Sequence, residues 1–277
     1  ADRPAGLRAV ETQPPLPTCL VLDDIQYSIM RSGPAWDCNL VAGLKGTRPP
    51  HTHHNQNDAG SIWVHVRGER LLIDPGYHKG AAGDHCLPLI DGRGPVRDGF
   101  VAKLFACDQG EHWRYLAVDT TPAYQGAAAR ARRHLLMLGA HTLLLLDDIV
   151  ADADVCVQLQ AGGPTTAAGD GAVDIAGRST GLHCAWLDGQ GTLELQDERT
   201  LKDTHFGYNF AACRMFPVHY LYRPASATPA VCVIQQHDHC RPAAVDHTDD
   251  GLTIAVDGVG DVVFHRDGVW QLARVSP

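Results

Sequence analysis

Three histidines fall within four residues, His51, His53 and His54, and Asn55, Gln56, Asn57 and Asp58 follow without a break. Imidazoles titrate near neutral pH, so they take or give a proton at little cost. His54 is the candidate for proton transfer; the plainer alternative is a solvent-facing loop histidine. Gln56, Asp74 and His85 form a candidate metal set. Asp74 ends one apolar run and Gln56 lies just ahead of another, so antiparallel pairing of the two runs brings them together. His85 follows a short Gly-Ala loop that can fold back over both. Oxygen and nitrogen ligands suit zinc, and the carboxamide also admits calcium. The competing reading of Asp74 is a cap on the Pro75-Gly76 turn.

Strands must position these groups. Ser61–Val66 alternates with period two, and after the turn at Gly68-Glu69 the run Arg70–Asp74 completes a hairpin. Asp58-Ala59-Gly60-Ser61 reads as a tight turn entering the first of these strands, with Gly60 supplying backbone freedom and Asp58 anchoring the loop. Further strands are expected near 20–22, 27–30, 39–42, 100–106, 113–118, 131–138, 141–149, 155–160, 182–187, 192–196, 218–222, 230–235 and 252–256. A last hairpin pairs Asp261–Phe264 with Val269–Leu272. Ala127–Arg133 has helix-friendly composition but is too short to stand alone. Turn residues recur roughly every 8–12 residues, which predicts an all-β fold: a large antiparallel β-sandwich with few short helices. Residues 1–18, rich in Pro and polar groups, read as a linker or N-terminal extension, and 19–277 as one β-sandwich domain.

The chain has 277 residues, 44% of them hydrophobic and 20% charged, enough for a substantial core. Its formal charge of -9 argues against nucleic acid as a partner but leaves room for a local basic cleft facing an anionic glycan. No apolar run approaches the roughly 20 residues that span a bilayer. The nine cysteines are an odd count with no CxxC spacing, which suits small buried hydrophobes rather than a zinc ribbon. Walker and HExxH motifs are absent, removing the commonest nucleotide and metalloprotease readings. The opening ADRPAGLRAV lacks a charged-then-apolar signal segment, so a removed signal, a cytoplasmic protein and a fragment stay open.

The segment HNQNDAGSI…GERLLIDPGY resembles the signature hairpin of the heparinase II/III-like polysaccharide lyases. So do His85–Gly92, Val118–Tyr124 and the Arg132-Arg133-His134 … Asp147-Asp148 pair, in the family's order; the likeness is best over residues 24–150. The resemblance implies a supersandwich-like β domain and β-elimination on a uronate-containing, anionic polysaccharide. It makes His54 and Tyr77 the catalytic pair and implies substrate contacts from Asn55, Arg31 and His78. It assigns Gln56, Asp74 and His85 to a structural divalent metal, zinc or calcium. A helical toroid, on this chain or another, is the expected partner, and a periplasmic or secreted location is expected, with the cytoplasm as alternative. Cys86 stands where the family often has Asn, and the loop after Asp74 is short. A non-catalytic glycan-binding or assembly module that keeps the sandwich is the second reading. A metal-dependent sugar enzyme of another class is the third.

Overall fold

A computed structural model describes residues 14–48, 56–76, 81–187, 191–201, 213–224 and 228–276. In chain order the strands are β1 (Cys19–Leu22), β2 (Tyr27–Arg31), β3 (Leu40–Lys45), β4 (Ile62–Val66), β5 (Glu69–Leu72), β6 (Pro88–Ile90), β7 (Lys103–Gln109), β8 (Trp113–Asp119), β9 (Arg130–Leu138), β10 (Thr142–Val150) and β11 (Val155–Ala161). There follow β12 (Thr165–Ala167), β13 (Ala172–Ala176), β14 (Gly181–Trp186), β15 (Thr192–Leu195), β16 (Arg199–Leu201), β17 (Cys213–Tyr222), β18 (Ala230–Gln236), β19 (Ala243–His247), β20 (Gly251–Val256), β21 (Gly260–Asp267) and β22 (Val269–Ser276). Helical structure among the described residues is confined to short 3-10 turns such as Ala82–Asp84 and Thr121–Tyr124. The strand that begins at Arg130 takes up the end of the helix-friendly stretch: Arg130–Val150 is a long hairpin whose two arms pair over their full length.

The strands form three antiparallel sheets. The first runs β1-β2-β3-β4-β5-β11-β17-β15, with β6 added to β11 and β16 to β17. The second runs β12-β13-β14-β18-β10-β9-β8-β7, and the third is the meander β19-β20-β21-β22. The expected antiparallel sandwich is present as the first two sheets. The third sheet covers the outer face of the second and makes a three-layer stack. Strand β10 shows why. Leu143 and Leu145 point into the core shared with the first sheet, and Leu144 and Leu146 into the core shared with the third. A strand buried on both faces reads as an unbroken apolar run, as TLLLL does. Each such leucine contributes roughly 2 kcal/mol on burial.

The hairpin β4–β5 turns at Arg67 and Gly68, both with positive φ (50° and 80°), the backbone that matches the twist of a two-residue hairpin. A register shift between Val64 and His65 bends its lower part. This hairpin lies in the middle of the first sheet, with β3 on one side and β11 on the other.

Candidate functional site

The open end of that hairpin carries a polar cluster. Gln56 Nε2 donates to the carbonyl of Gly76 at 2.6 Å, tying the approach to β4 to the exit from β5. Asp74 Oδ1 accepts the Gly76 N–H at 2.8 Å, an Asx turn made possible by φ +72° at Gly76. The other oxygen, Oδ2, lies 2.8 Å from His85 Nδ1. His85 is completely buried, and Asp74 is one-third exposed at its side chain. On the far side Lys45 pairs with Asp58 at 2.5 Å. Oxygens of Asp58 and Asp74 and a nitrogen of His85 all lie within 4.8 Å of one another.

The backbone around the cluster is held from below. Arg133, fully buried on β9, forks onto both oxygens of Asp147 at 2.6 and 3.0 Å. Its remaining arm donates to the carbonyls of Gly60 at 2.9 Å and Cys86 at 2.6 Å. One guanidinium of the second sheet thus anchors both loops of the site to the core. The loop bearing His85 is also held from β11, where Gln160 Nε2 donates to Gly83 O at 3.0 Å. Arg199 pairs with Asp84 at 2.8 Å. Cys86 is a buried scaffold group: its sulfur takes the Gln160 N–H, and burial pushes its thiol up to about 12. Gly60 enters β4 with φ +86°, and a Cβ there would press on Thr120 at 3.1 Å.

Electrostatically the cluster is poised around a negative charge. Burial alone raises the Asp74 carboxyl. The hydrogen bond and charge of His85, the Gly76 N–H and the Lys45 ammonium outweigh it and hold the group below the usual carboxylate range. An ionised Asp74 only accepts, so His85 Nδ1 carries the hydrogen, and in the neutral ring the lone pair sits on Nε2. That Nε2 is buried with no hydrogen-bond partner, as are Gln56 Oε1, Asp58 Oδ1 and Ser61 Oγ. Buried polar atoms are ordinarily paired, so unpaired oxygens and an imidazole lone pair gathered at one hairpin end fit a cation, with the carboxylate–histidine arrangement common around zinc.

The structure therefore brings Gln56, Asp74 and His85 together. It adds Asp58, which sequence reasoning took only as a loop anchor; its place two residues after Gln56 was the available signal. Tyr27, also missed, lies in register with Lys45. Its hydroxyl accepts the Trp63 indole N–H at 2.6 Å. Burial and the carboxylates of Asp74 and Asp58 push its phenol up, against that hydrogen bond. Arg31 is not brought to the cluster. It pairs with Val41 at the opposite end of β2 from Tyr27, roughly 13 Å along the strand. Its guanidinium donates to the carbonyls of Ala35 (2.8 Å) and Trp36 (3.2 Å), which fixes the loop after β2. His54, Asn55, Tyr77 and His78, with His51 and His53, lie outside the described residues. Two clefts among the described residues lie elsewhere. One of about 620 Å³ is lined by Lys103, Phe105 and Arg132, another of about 560 Å³ by Trp113, His141 and His239, and neither includes Asp74 or His85.

No family model matches the sequence, and no curated protein is a significant match. Solved structures do share the fold. The heparan sulfate lyase HepC from Pedobacter heparinus superposes with a TM-score of 0.70 at 17% identity, over 94% of this chain and 42% of that one. A heparinase III gives 0.68 at 12% identity, over 95% and 43%. A chondroitin lyase that is a baculovirus envelope protein gives 0.51 at 8% identity, over 90% and 43%. The chain thus has the fold of one part of these lyases and spans less than half of their length.

Proposed function

We propose that this chain is the β-sandwich part of a polysaccharide lyase that cleaves a uronate-containing polysaccharide by β-elimination. The observation that carries the reading is the cluster of Gln56, Asp58, Asp74 and His85 with its unpaired buried atoms. It sits on a lyase-like fold, two residues past His54 in sequence. In β-elimination a base removes the C5 proton beside the uronate carboxylate, negative charge grows on that carboxylate, and an acid protonates the departing glycosidic oxygen. His54 neutralises the growing charge or acts as the base. Tyr77 donates to the leaving oxygen, with a tyrosine of a helical toroid as the other source of that proton. Asn55 and His78 contact the sugar. A divalent ion, zinc or calcium, would be held by Gln56 Oε1, Asp74 and His85, with Asp58 as a further oxygen, and would supply fixed positive charge that keeps the two loops in register.

The test is the ultraviolet absorbance of 4,5-unsaturated uronate ends, with the chain incubated on a panel of uronate polysaccharides. The expected result is a rising signal on at least one polymer, abolished in His54→Ala while the circular dichroism spectrum stays unchanged. Unchanged turnover in that variant removes His54 from the mechanism. The second reading, a glycan-binding module without turnover, is favoured by the short loop of residues 77–84 after Asp74. Retention on an immobilised uronate polymer with no unsaturated product, even with a lyase toroid added, would establish it.

A further inference from the structure

The sandwich has an open side where the edge of the first sheet, β1, runs beside the edge of the second, β7. No backbone ladder joins them. Side chains do: Thr18 Oγ1 donates to Gln109 Oε1 at 2.7 Å, and next to that contact the sulfurs of Cys19 and Cys107 lie 2.9 Å apart. Both cysteines are free thiols; Cys19 is half-buried and Cys107 exposed. Two sulfurs this close need only a small shift to reach the roughly 2.05 Å of a covalent bond. We infer that Cys19 and Cys107 are a disulfide-forming pair that staples the two sheets along their open edge.

The step balances with a disulfide oxidant such as oxidised glutathione. The exposed Cys107 thiolate attacks one glutathione sulfur, releasing glutathione thiolate and leaving a mixed disulfide. Cys19 then attacks the Cys107 sulfur, and the second glutathione leaves. The protein loses two protons and two electrons, and the oxidised glutathione gains them as two thiols. Burial, then the neighbouring Cys107, raises the Cys19 thiol, so the two do not ionise together. Once Cys107 is in the mixed disulfide its charge is gone, and Arg114, whose charge favours the Cys19 thiolate, acts unopposed by it. The order of attack follows from this placement. The closed loop runs from residue 19 to residue 107 and encloses the whole Gln56–His85 cluster, so a bond here restrains the unfolded chain around the site.

The experiment equilibrates the full chain with glutathione buffers from fully reduced to fully oxidised, then quenches with acid, alkylates and maps the peptides by mass. The expected oxidised form is lighter by two hydrogens, takes up two fewer alkyl groups than the nine of the reduced chain, and yields one linked peptide pair holding Cys19 and Cys107. Its thermal midpoint should lie roughly 5–10 °C above that of the reduced form. Cys107→Ser, at an exposed position, should abolish the linked pair and the redox dependence of the midpoint. Nine alkylations under fully oxidising buffer, a linked pair using other cysteines, or an unchanged mass loss in Cys107→Ser would each overturn the inference.

Discussion

Two completely buried histidines, His85 and His134, make the same first contact and end in opposite chemical states. Each uses Nδ1 in a short hydrogen bond, His85 to Asp74 at 2.8 Å and His134 to the Tyr115 hydroxyl at 2.7 Å, and each leaves Nε2 without a hydrogen-bond partner. The partner decides what that second nitrogen is. An ionised carboxylate accepts a hydrogen bond from Nδ1–H, so in the neutral ring of His85 the lone pair is at Nε2. His134 Nδ1 is the one acceptor the described hydrogen bonds offer the Tyr115 hydroxyl, so the hydroxyl donates to it and the ring hydrogen sits on Nε2. Around His134 the neighbours are the rings of Phe105 and Phe264, nearly perpendicular to it with centroids 5.7 and 5.8 Å away. Around His85 the neighbours are the oxygens of Asp58 and Asp74. An unpaired imidazole nitrogen is therefore not in itself a site. It becomes one when a carboxylate fixes the tautomer and further unpaired oxygens gather beside it.

The largest effect is expected from the scaffold beneath the open cluster. Arg133→Met leaves Asp147 an unpaired buried charge and strips the donors from Gly60 and Cys86, so it should cost about 3–5 kcal/mol in urea unfolding. A loss under about 1 kcal/mol would mean that the loops of the site do not depend on that anchor.

His134 gives the next effect. Burial, then the charge of Arg132, push its ring down to about 3. The unfolded ring titrates near 6.5, so between those values the unfolded chain binds the extra proton, and stability must fall as pH drops below 6.5. The loss should reach roughly 2 kcal/mol by pH 5, and His134→Phe should flatten that part of the pH profile. An identical slope in the variant would assign the acid sensitivity elsewhere.

A smaller change sharpens the other half of the comparison. Lys45 holds Asp58 and presents a like charge to any cation beside it. Lys45→Met should strengthen metal-induced stabilisation several-fold, roughly 1 kcal/mol. Weaker stabilisation would show that Lys45 supports the site instead of competing for it.

Much of this is legible in the sequence. The period-two run Ile62–Val66 and the Gly68 turn dictated the hairpin, and the hairpin dictated that Gln56 and Asp74 meet. The Arg133–Asp147 pair lay in the stretch whose resemblance to the lyases was clearest. Other features were hidden for physical reasons. A strand such as β10, buried on both faces, shows no alternation, so nothing in TLLLL announces a third sheet. Asp58 looks the same as turn cap or as site oxygen until the fold sets it beside Asp74. Arg31 sits on a lyase-like strand, but its neighbours' carbonyls claim its guanidinium. Cysteine pairing has no sequence signature at a separation of 88 residues.

The central claim is that the open cluster is built to hold a cation, and calorimetric titration of zinc and calcium into the wild-type chain, His85→Gln and His134→Phe tests it most directly. The account predicts one divalent ion per chain for wild type and for His134→Phe, and binding at least about ten-fold weaker in His85→Gln. No binding of either ion, or equal binding in wild type and His85→Gln, would contradict it.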